Sequence, residues 1–360
     1  MPNWLQTEPV GMEERTKGCD HYRNTVMKLS VVILCWNDLK VITDCLTSIY
    51  ATTKSIDFEV IVSDNGSTDG SIEFIRTNFP QVRLLENGRN LRFAKGNNVG
   101  IEASRGEYVL ILNPDTIMHD GALDKLIAFA DKHPEAGGFG CRVLNADGKT
   151  YQGCIWPLPT LRTEWVSALG LGALGYLSEA FNPGWYLRWK GETERAVGYP
   201  AGCCLLVRGE LLKRLGGFDE KFFYYFEETD LCHRIWDAGF SVLYTPEASI
   251  THLGGQSTHK KFPPIGFLID RQITRYLYFY KYFGPNGARS ARKSMLAGLA
   301  LRRAAAWVCH IVRPSQASRE NLESLRILSD WNYRVDPVRL AEKGEEPELR
   351  TTIINRVLER

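Results

Sequence analysis

The sequence predicts an α/β fold in which helices cover a mostly parallel sheet. Leu29 to Trp36 is an unbroken run of β-branched and other apolar residues, the pattern of a strand buried on both faces of a parallel sheet. From residue 38 to residue 50, apolar side chains recur three and four positions apart, the spacing of a helix that packs one face on this strand. Such strands and helices alternate as far as residue 112, which is typical of a doubly wound sheet.

The later elements follow the same apolar patterns. Further strands are predicted at residues 58–62, 82–85, 108–112, 203–207 and 241–244. Further helices are predicted at residues 70–79, 94–103 and 227–238. From residue 145 to residue 200 the alternation gives way to a segment rich in Trp, Gly and Pro, where we expect a pocket. After His252 the pattern is mostly helical.

The composition is that of a folded, nearly neutral globular protein. Hydrophobic residues make up 44% and charged residues 24% of the 360 positions, far from the composition of disordered chains. Lys and Arg number 44 against 42 Asp and Glu, and this net charge of +2 argues against nucleic acid as a partner. The nine cysteines form no CxxC pair and no zinc-ligand spacing, as expected for a reduced, cytoplasmic protein.

Neither a secretion signal nor a membrane span is predicted. The first thirty residues carry many charges and no apolar run. The most apolar stretch, Met295 to Val312, is interrupted by Arg302, Arg303 and His310, whereas a spanning helix needs about 18 or more apolar residues. We therefore expect this stretch to lie on a membrane surface at most.

Polar residues follow the predicted strands, and in an open α/β sheet the ligand binds beyond the carboxyl ends of the strands. Asn37 follows the first strand, and residues 63–70 (SDNGSTDG) follow the second. Ser67, Thr68 and Asp69 are equally well explained as caps of the next helix. Asp64 lies too early to be a cap, and a fixed carboxylate there can accept the ring N–H of a uridine- or thymidine-type base.

Asp115 follows the strand that ends at Leu112, within the sequence NPDT. A carboxylate in this position suits Mg²⁺ or Mn²⁺ bound to a diphosphate, because these ions prefer oxygen ligands and keep open positions for water and phosphate. The alternative is a Pro-Asp turn without a ligand.

Three acids, Glu227, Glu228 and Asp230, directly follow five aromatic residues at positions 222–226. Acids at the start of a helix are often simply solvated and favoured by the helix dipole. An aromatic wall beside a carboxylate also excludes water and raises its pKa, as a general base that faces a hydroxyl group requires. The pattern therefore leaves both interpretations open.

Together these segments resemble the family 2 glycosyltransferases, in the branch of bacterial rhamnosyltransferase-like enzymes. The resemblance covers about residues 29–258 and rests on motifs that occur in this order: VVILCWN, VSDNGSTDGS, NLRFAKGNNVG, YVLILNPDT, AGCCLLVRGELLKRLGGFDEKFFYYFEETDLCHRIWDAGF and SITHLGGQST. It implies a GT-A fold with a Rossmann-like nucleotide-binding half, a dTDP- or UDP-sugar donor, a divalent cation and inversion at the anomeric carbon.

The resemblance also implies roles for particular residues. Asp64 matches the base-reading aspartate, Asp115 the metal aspartate and His252 the histidine that meets the metal or diphosphate. Glu228 stands where the family has the aspartate that acts as general base, so the base is Glu228 or else Glu227 or Asp230. The further residues expected to bind the nucleotide sugar are Cys35, Trp36, Asn37, Asn65, Asn90, Lys95, Asn97 and Asn113. Those expected in the acceptor or sugar pocket are Ala201, Gly202, Glu227 and Asp230.

Two positions depart from the family pattern. Asn113 replaces the first aspartate of the fold's usual metal motif, as in the NPD form of this branch, so that Asp115 carries the ion with diphosphate oxygens. Arg92 stands where the motif NxGF often has glycine.

We expect a polar leader at residues 1–27, a glycosyltransferase domain at 28–258 and a helical region at 259–360. The domain divides into a nucleotide-binding half, residues 28–120, and an acceptor half, residues 121–258. The expected reaction transfers rhamnose from dTDP-rhamnose to a saccharide or lipid-linked saccharide of a bacterial cell-surface glycan. The alternatives are transfer of another hexose or of galactofuranose, and a nucleotide-sugar-binding protein without turnover.

Three further segments carry weaker signals. Residues 170–175 match GxGxxG, but they do not follow the first strand, so a dinucleotide site is disfavoured. Residues 272–276 (QITRY) are similar to the QxxRW element of processive synthases, and we interpret them as helix surface. Residues 281–320 contain eight Lys and Arg and one acid, interleaved with Leu, Ile and Trp. That pattern favours either peripheral attachment to an anionic membrane, on its inner face, or a solvated helical bundle.

Overall fold

The computed structural model describes residues 27–182, 184–186, 189–254 and 264–343. The predicted leader falls almost wholly outside them, as do residues 344–360. The strands in chain order are β1 (Leu29–Cys35), β2 (Phe58–Asp64), β3 (Arg83–Glu86), β4 (Tyr108–Leu112), β5 (Thr116–Met118), β6 (Ala136–Leu144), β7 (Ile155–Trp156), β8 (Arg195–Ala196), β9 (Tyr199–Pro200), β10 (Cys204–Arg208) and β11 (Ser241–His252).

The helices surround a mixed sheet. In chain order they are α1 (Leu39–Thr52), α2 (Ser71–Asn78), α3 (Phe93–Ala103), α4 (Ala122–Lys132), α5 (Leu161–Ala168), α6 (Gly209–Arg214), α7 (Glu227–Asp237), α8 (Pro264–Val312), α9 (Gln316–Arg334) and α10 (Pro337–Lys343). Short 3₁₀ turns lie at Leu171–Tyr176 and Glu179–Phe181.

The main sheet has the order β3-β2-β1-β4-β10-β6-β11-β5, with β8 added beside β11. Strands β1, β2, β3 and β4 run parallel, and β10 runs antiparallel between β4 and β6. β7 and β9 form a separate pair. The architecture confirms the predicted α/β fold, with a mostly parallel mixed sheet, flanking helices and a helical C-terminal region.

The registers bring distant segments to one edge of the sheet. Cys35 at the end of β1 lies opposite Asp64 at the end of β2. Leu112 at the end of β4 lies opposite Cys204 at the start of the antiparallel β10. The loops that follow β1, β2 and β4 and the loop that precedes β10 therefore meet at the same edge.

β11 runs from Ser241 to His252, whereas the predicted strand covers only residues 241–244. The structure continues it through Pro246, with a register shift against β6 between Thr245 and Ser249. An irregularity of this kind lets proline interrupt a ladder without ending the strand. His252 is consequently the last residue of a strand that pairs with both β6 and β5.

The C-terminal helices pack against the aromatic run at residues 222–226. Phe222 is 1% exposed and belongs to one apolar cluster with Ile273, Tyr276 and Trp331. α8 is interrupted at Gly284, whose φ of 66° is not helical and which precedes Pro285. α9 then follows α8 after a short turn and contacts it, so that the two form a helical hairpin.

The interpretation of residues 272–276 as helix surface is wrong. Gln272 is 5% exposed and Tyr276 is fully buried. Arg275 forms an ion pair with Glu164 of α5. This segment therefore fastens the C-terminal helices to the acceptor half.

The far end of the hairpin is exposed. Among the described residues, the helix Leu268–Val312 contains an 18-residue window with a mean hydropathy of 1.3, of which 17% is buried. By length and composition it could span a membrane, which corrects the expectation that no segment would qualify. A helix of a soluble protein can satisfy the same criterion.

Candidate active site

Asp115 and Glu228 lie at the same edge of the sheet, although 113 positions separate them in the chain. The backbone amide of Asn113 donates to the carbonyl of Cys203 at 3.0 Å. The preceding residue, Gly202, lies against Glu228, and a methyl group on its Cα would be 3.5 Å from the Glu228 Cβ. The pairing of β4 with β10 thus connects the two acidic side chains.

Asp115 is paired with His252. The Asp115 carboxylate is buried, and its Oδ1 lies 3.3 Å from His252 Nε2. His252 Nδ1 lies 3.1 Å from Gln152 Oε1, which also accepts a hydrogen bond from Cys154 Sγ. When Nδ1 donates its proton to Gln152, the neutral imidazole turns the lone pair of Nε2 toward Asp115. An oxygen and a nitrogen donor then face a common point.

This donor set fits a divalent cation that also binds a substrate. No group of three or more His, Cys, Asp or Glu side chains suited to a metal ion occurs among the residues that the structure describes. The pair of Asp115 and His252 would leave most coordination positions to diphosphate oxygens and water, which is the usual arrangement for Mg²⁺ at substrate phosphates. Next to the pair, the Asn113 amide donates to the Cys203 carbonyl, and the Asn113 carbonyl accepts the Thr116 hydroxyl.

Glu227 and Glu228 are the first two residues of α7, and both have a raised pKa. Burial raises the pKa of Glu228, and hydrogen bonds from the backbone amides of Glu228, Thr229 and Gly202 oppose that effect. Burial, followed by the neighbouring charge of Glu228, raises the pKa of Glu227 well above its ordinary value. One Oε2 on each side chain is buried without a hydrogen-bond partner. Both carboxylates are therefore suited to accepting a proton.

Asp230 does not join this pair. Its carboxylate is fully buried and is held by Arg234 at 2.8 Å, Lys281 at 2.6 Å and the hydroxyl of Tyr282 at 2.8 Å. Asp230 and Glu228 also differ by two positions, which places them on different sides of a helix. In this structure Asp230 anchors α7 to α8, so it is not available in the pocket where it was expected.

Asp64 holds the loop that follows β2. The side chain is fully buried, and its Oδ1 accepts hydrogen bonds from the amides of Gly66 and Ser67, both at 2.8 Å. Its Oδ2 accepts the Ser67 hydroxyl at 2.5 Å, and that hydroxyl oxygen in turn accepts the Asn37 amide at 2.8 Å. The carboxylate therefore shapes the polar loops after β1 and β2 as one unit.

The other predicted donor residues divide by exposure. Cys35, Asn65 and Asn97 are buried, and Asn65 bonds to the carbonyl of Arg92. The partly or fully exposed ones are Trp36, Asn37, Asn90, Lys95 and Asn113. Lys95 pairs with Glu220 at 3.3 Å. The buried residues support the edge, and the exposed ones are those that a donor can reach.

Strained backbone marks the same loops. The described residues other than glycine that have a positive φ are Asn37, Arg92, Tyr225 and Phe226. Arg92 has φ 69° and ψ −176°, a conformation that is almost confined to glycine and so explains why the family pattern often has glycine there. Tyr225 and Phe226 directly precede the two glutamates. Strain of this kind concentrates at functional sites.

Sequence reasoning missed Gln152, Tyr199 and Arg271. Gln152 orients His252, and Arg271 is near enough to Glu228 to oppose the rise in its pKa. The Tyr199 ring stacks on Trp156 at 5.4 Å, and burial together with the charge of Glu228 raises the pKa of its hydroxyl. None of the three lies in a recognisable motif, so no sequence signal could have found them.

Two solved glycosyltransferases have a similar fold. The chain is similar to the mannosyltransferase PcManGT of Pyrobaculum calidifontis, solved with GDP-Man and Mn²⁺, with a TM-score of 0.51, 17% identity, and coverage of 92% of this chain and 86% of that one. It is also similar to S. aureus TarS, solved with UDP-GlcNAc, with a TM-score of 0.51, 15% identity and coverage of 93% of each chain. The chain therefore has a GT-A fold.

The sequence is similar to a known family and to known enzymes. Residues 30–166 match glycosyl transferase family 2. The chain is 29% identical over 298 residues to the N-acetylglucosaminyl-diphospho-decaprenol L-rhamnosyltransferase of Mycobacterium tuberculosis, covering 75% of this chain and 88% of the relative. It is 26% identical over 168 residues to the rhamnosyltransferase WbbL of Escherichia coli, covering 44% of this chain and 60% of the relative. The protein is a glycosyltransferase that is similar over residues 30–166 to family 2 and over most of its length to a bacterial rhamnosyltransferase.

Proposed function

We propose that the protein is a metal-dependent, inverting glycosyltransferase that moves rhamnose from dTDP-rhamnose to a saccharide or lipid-linked saccharide in cell-surface glycan synthesis. The observation that carries the chemistry is the position of Glu228 at the edge that also holds Asp115 and His252. The similarity to the mycobacterial rhamnosyltransferase, whose name specifies a lipid-linked N-acetylglucosamine, supports the sugar and the acceptor.

In the proposed reaction Glu228 removes the proton from an acceptor hydroxyl group. The hydroxyl oxygen forms a bond to the anomeric carbon while the bond from that carbon to the diphosphate oxygen breaks, so the configuration inverts. The electron pair of the broken bond leaves with the nucleoside diphosphate. Mg²⁺ or Mn²⁺ held by Asp115 and His252 would neutralise the charge on that leaving group. Glu228 is suited to its part because burial has raised its pKa.

The donor is assigned to the loops after β1, β2 and β4. In this proposal Asp64 selects a pyrimidine base, and Asn37 and Trp36 lie at the accessible side of the loop that it holds. The remaining predicted donor residues support this edge of the sheet or line it. The alternative donors are UDP-hexoses and UDP-galactofuranose.

A panel of nucleotide sugars tests this assignment. We expect dTDP-rhamnose to raise the melting temperature most, because a ligand at one hundred times its Kd adds about 2.7 kcal/mol of stability. Nucleotide release with Mn²⁺ then measures turnover. Binding without release would identify a nucleotide-sugar-binding protein, and a larger shift with a UDP-sugar would replace the donor.

We further propose that the protein attaches to the inner face of an anionic membrane through the hairpin tip, defined as residues 300–319. Five apolar side chains there are at least half exposed: Leu301, Trp307, Val308, Ile311 and Val312. No acid occurs between residues 284 and 319, whereas Arg303, Arg313 and Arg319 are exposed. Exposed apolar and basic side chains together suit an anionic bilayer surface.

Flotation with phosphatidylglycerol vesicles tests the attachment. We expect the protein to float with these vesicles and much less with phosphatidylcholine vesicles. The triple variant Leu301→Ser, Trp307→Ser, Ile311→Ser should stay at the bottom, whereas Leu177→Ser, at a position that is 84% exposed outside the tip, should float. Equal flotation of the triple variant would rule out the tip.

A further inference from the structure

The acceptor half contains a cavity walled by aromatic rings. Its volume is ≈ 380 Å³, within the roughly 300–1,000 Å³ range of small-molecule sites. The residues that line it are Tyr151, Gly153, Ile155, Trp156, Tyr176, Trp185, Tyr186 and Trp189. A neighbouring cavity of ≈ 510 Å³ shares Trp185, Tyr186 and Trp189 and extends to Arg162 and Arg195. Among the described residues that line the two cavities there is no acid.

One segment of chain belongs both to this cavity and to the active site. Tyr151, Gly153 and Ile155 line the cavity, whereas Gln152 between them bonds to His252. Cys154 likewise faces the other side, where its Sγ bonds to Gln152. The cavity and the cation pair therefore lie on the two sides of this one segment.

Trp156 connects the cavity to the general base. It lines the cavity and also stacks on Tyr199, whose hydroxyl is close enough to Glu228 for that charge to contribute to its raised pKa. The backbone of Cys154 accepts a hydrogen bond from the Ala201 amide, next to Gly202 and Glu228. A group bound in the cavity would therefore contact Trp156, a ring that a single stacked tyrosine connects to Glu228.

Some of the rings are fixed in place and others are open to solvent. The Arg195 guanidinium lies 4.2 Å from the centroid of Tyr186, and Trp189 packs edge-on against Tyr244 at 4.9 Å. By contrast, Trp185 is 57% exposed and Tyr176 is 52% exposed. Fixed rings beside exposed ones form a surface that a ligand can reach from the solvent side.

We propose that this cavity is the subsite for a pyranose ring of the acceptor. A pyranose presents C–H groups on its faces and hydroxyl groups at its rim, so flat aromatic rings can cover a face while tyrosine hydroxyls and Trp N–H groups meet the rim. The described lining of the smaller cavity offers a charged ligand neither an acid nor a cation to pair with. The inference rests on the proposed function insofar as it takes the acceptor to be a saccharide.

Direct binding of simple glycosides to the full chain tests the inference without donor or turnover. The probes are the methyl glycosides of L-rhamnose, D-glucose and N-acetyl-D-glucosamine, measured by saturation-transfer NMR and titration. We expect at least one of them to bind, and Trp185→Ala to weaken its Kd about tenfold, with most of the affinity restored in Trp185→Tyr. The matched control is Trp307→Ala, at a position that is 60% exposed in the hairpin tip, and it should bind like the wild type.

The possible outcomes separate this inference from the proposed function. If no glycoside binds, or if Trp185→Ala and Trp307→Ala bind alike, the subsite is overturned. Binding of n-octanol but of no glycoside would assign the cavity to an alkyl chain and would also overturn it. Failure of the chain to cleave any nucleotide sugar would overturn the proposed function alone, because glycoside binding is measured in the absence of donor.

Discussion

Two parts of the site use their acidic side chains in opposite ways. We call the loops after β1 and β2 the donor edge and the start of α7 the acceptor edge. At the donor edge, Asp64 accepts hydrogen bonds from two amides and one hydroxyl. At the acceptor edge, Glu227 and Glu228 each keep a buried oxygen without a partner, and burial raises the pKa of both. The carboxylate of the donor edge holds a loop in place, whereas those of the acceptor edge have an oxygen that can accept a proton.

The difference shows how one sheet edge can serve two chemistries. Hydrogen bonds hold polar side chains in position, as ligand recognition requires. Removal of water and partners raises the pKa of a carboxylate, as proton transfer requires. Asp115 follows β4, between the donor edge and the acceptor edge, and its pairing with His252 has the geometry that suits a cation. Substitutions on each edge should therefore fail in different ways.

The largest effect is expected from Glu228→Gln. The amide keeps the size of the side chain but cannot accept the proton, so turnover should fall by about 10²–10⁴-fold. The thermal shift produced by the donor should not change, because the donor edge is untouched. Turnover close to that of the wild type would show that the base is a different residue.

Asp64→Asn should weaken donor binding rather than the transfer step. Hydrogen bonds to a charged group are worth about 1.5–3 kcal/mol, so donor affinity should fall about tenfold to a hundredfold. Preference for pyrimidine over purine diphosphates should fall with it, as competition by UDP and GDP would measure. Ser67→Ala removes two hydrogen bonds of the loop, with Asp64 and with the Asn37 amide, but keeps the carboxylate. If both variants lost affinity and selectivity equally, Asp64 would only hold the loop.

Gln152→Ala should weaken the response to the cation. Gln152 orients the ring of His252, and loss of such a partner typically costs about 10–100-fold in metal affinity. The Mn²⁺ concentration for half-maximal turnover should rise by this factor, whereas turnover at saturating Mn²⁺ should be largely recovered. Gln81→Ala, at an exposed glutamine, is the control. An unchanged Mn²⁺ requirement would remove His252 from the cation site.

The smallest effect on turnover is expected from Glu227→Gln. Burial raises the pKa of Glu227 well above its ordinary value, which favours the neutral carboxyl form, and glutamine imitates that form. The folded pKa exceeds the unfolded one, so the stability that wild-type Glu227 contributes at low pH is lost as pH rises above about 4.5. The melting temperature of the variant relative to the wild type should therefore rise with pH. A large loss of turnover would instead make Glu227 the base.

The nucleotide-binding half could be predicted because each of its elements carries its own apolar pattern. Residues 108–112 form β4 as predicted, and α3 begins at Phe93, one residue before the predicted start. The acceptor half could not be predicted in this way. β7 and β9 have two residues each and pair across more than forty positions, so their existence depends on tertiary contacts rather than on local pattern.

Two errors have the same physical origin. Arg275 looked like a surface residue because a lone arginine is costly to bury, but its partner Glu164 comes from the segment whose structure the sequence did not predict. Gln152 gave no signal because its role depends on His252, one hundred residues later. The roles of Asp64, Asp115 and Glu228 stay predictions, although the structure brings their loops to one edge.

The break in α8 at Gly284 separates the part of the helix that packs with residues 222–226 from residues 285–312. This second part still packs on the protein as far as Leu299, whereas residues 300–312 are mostly exposed and, at 1.5 Å per residue, extend about 20 Å. A bilayer contacted at its end would therefore be held at a fixed stand-off from the catalytic cleft. A helix in this position would favour acceptors whose sugar extends well above the lipid surface over acceptors whose sugar lies within it.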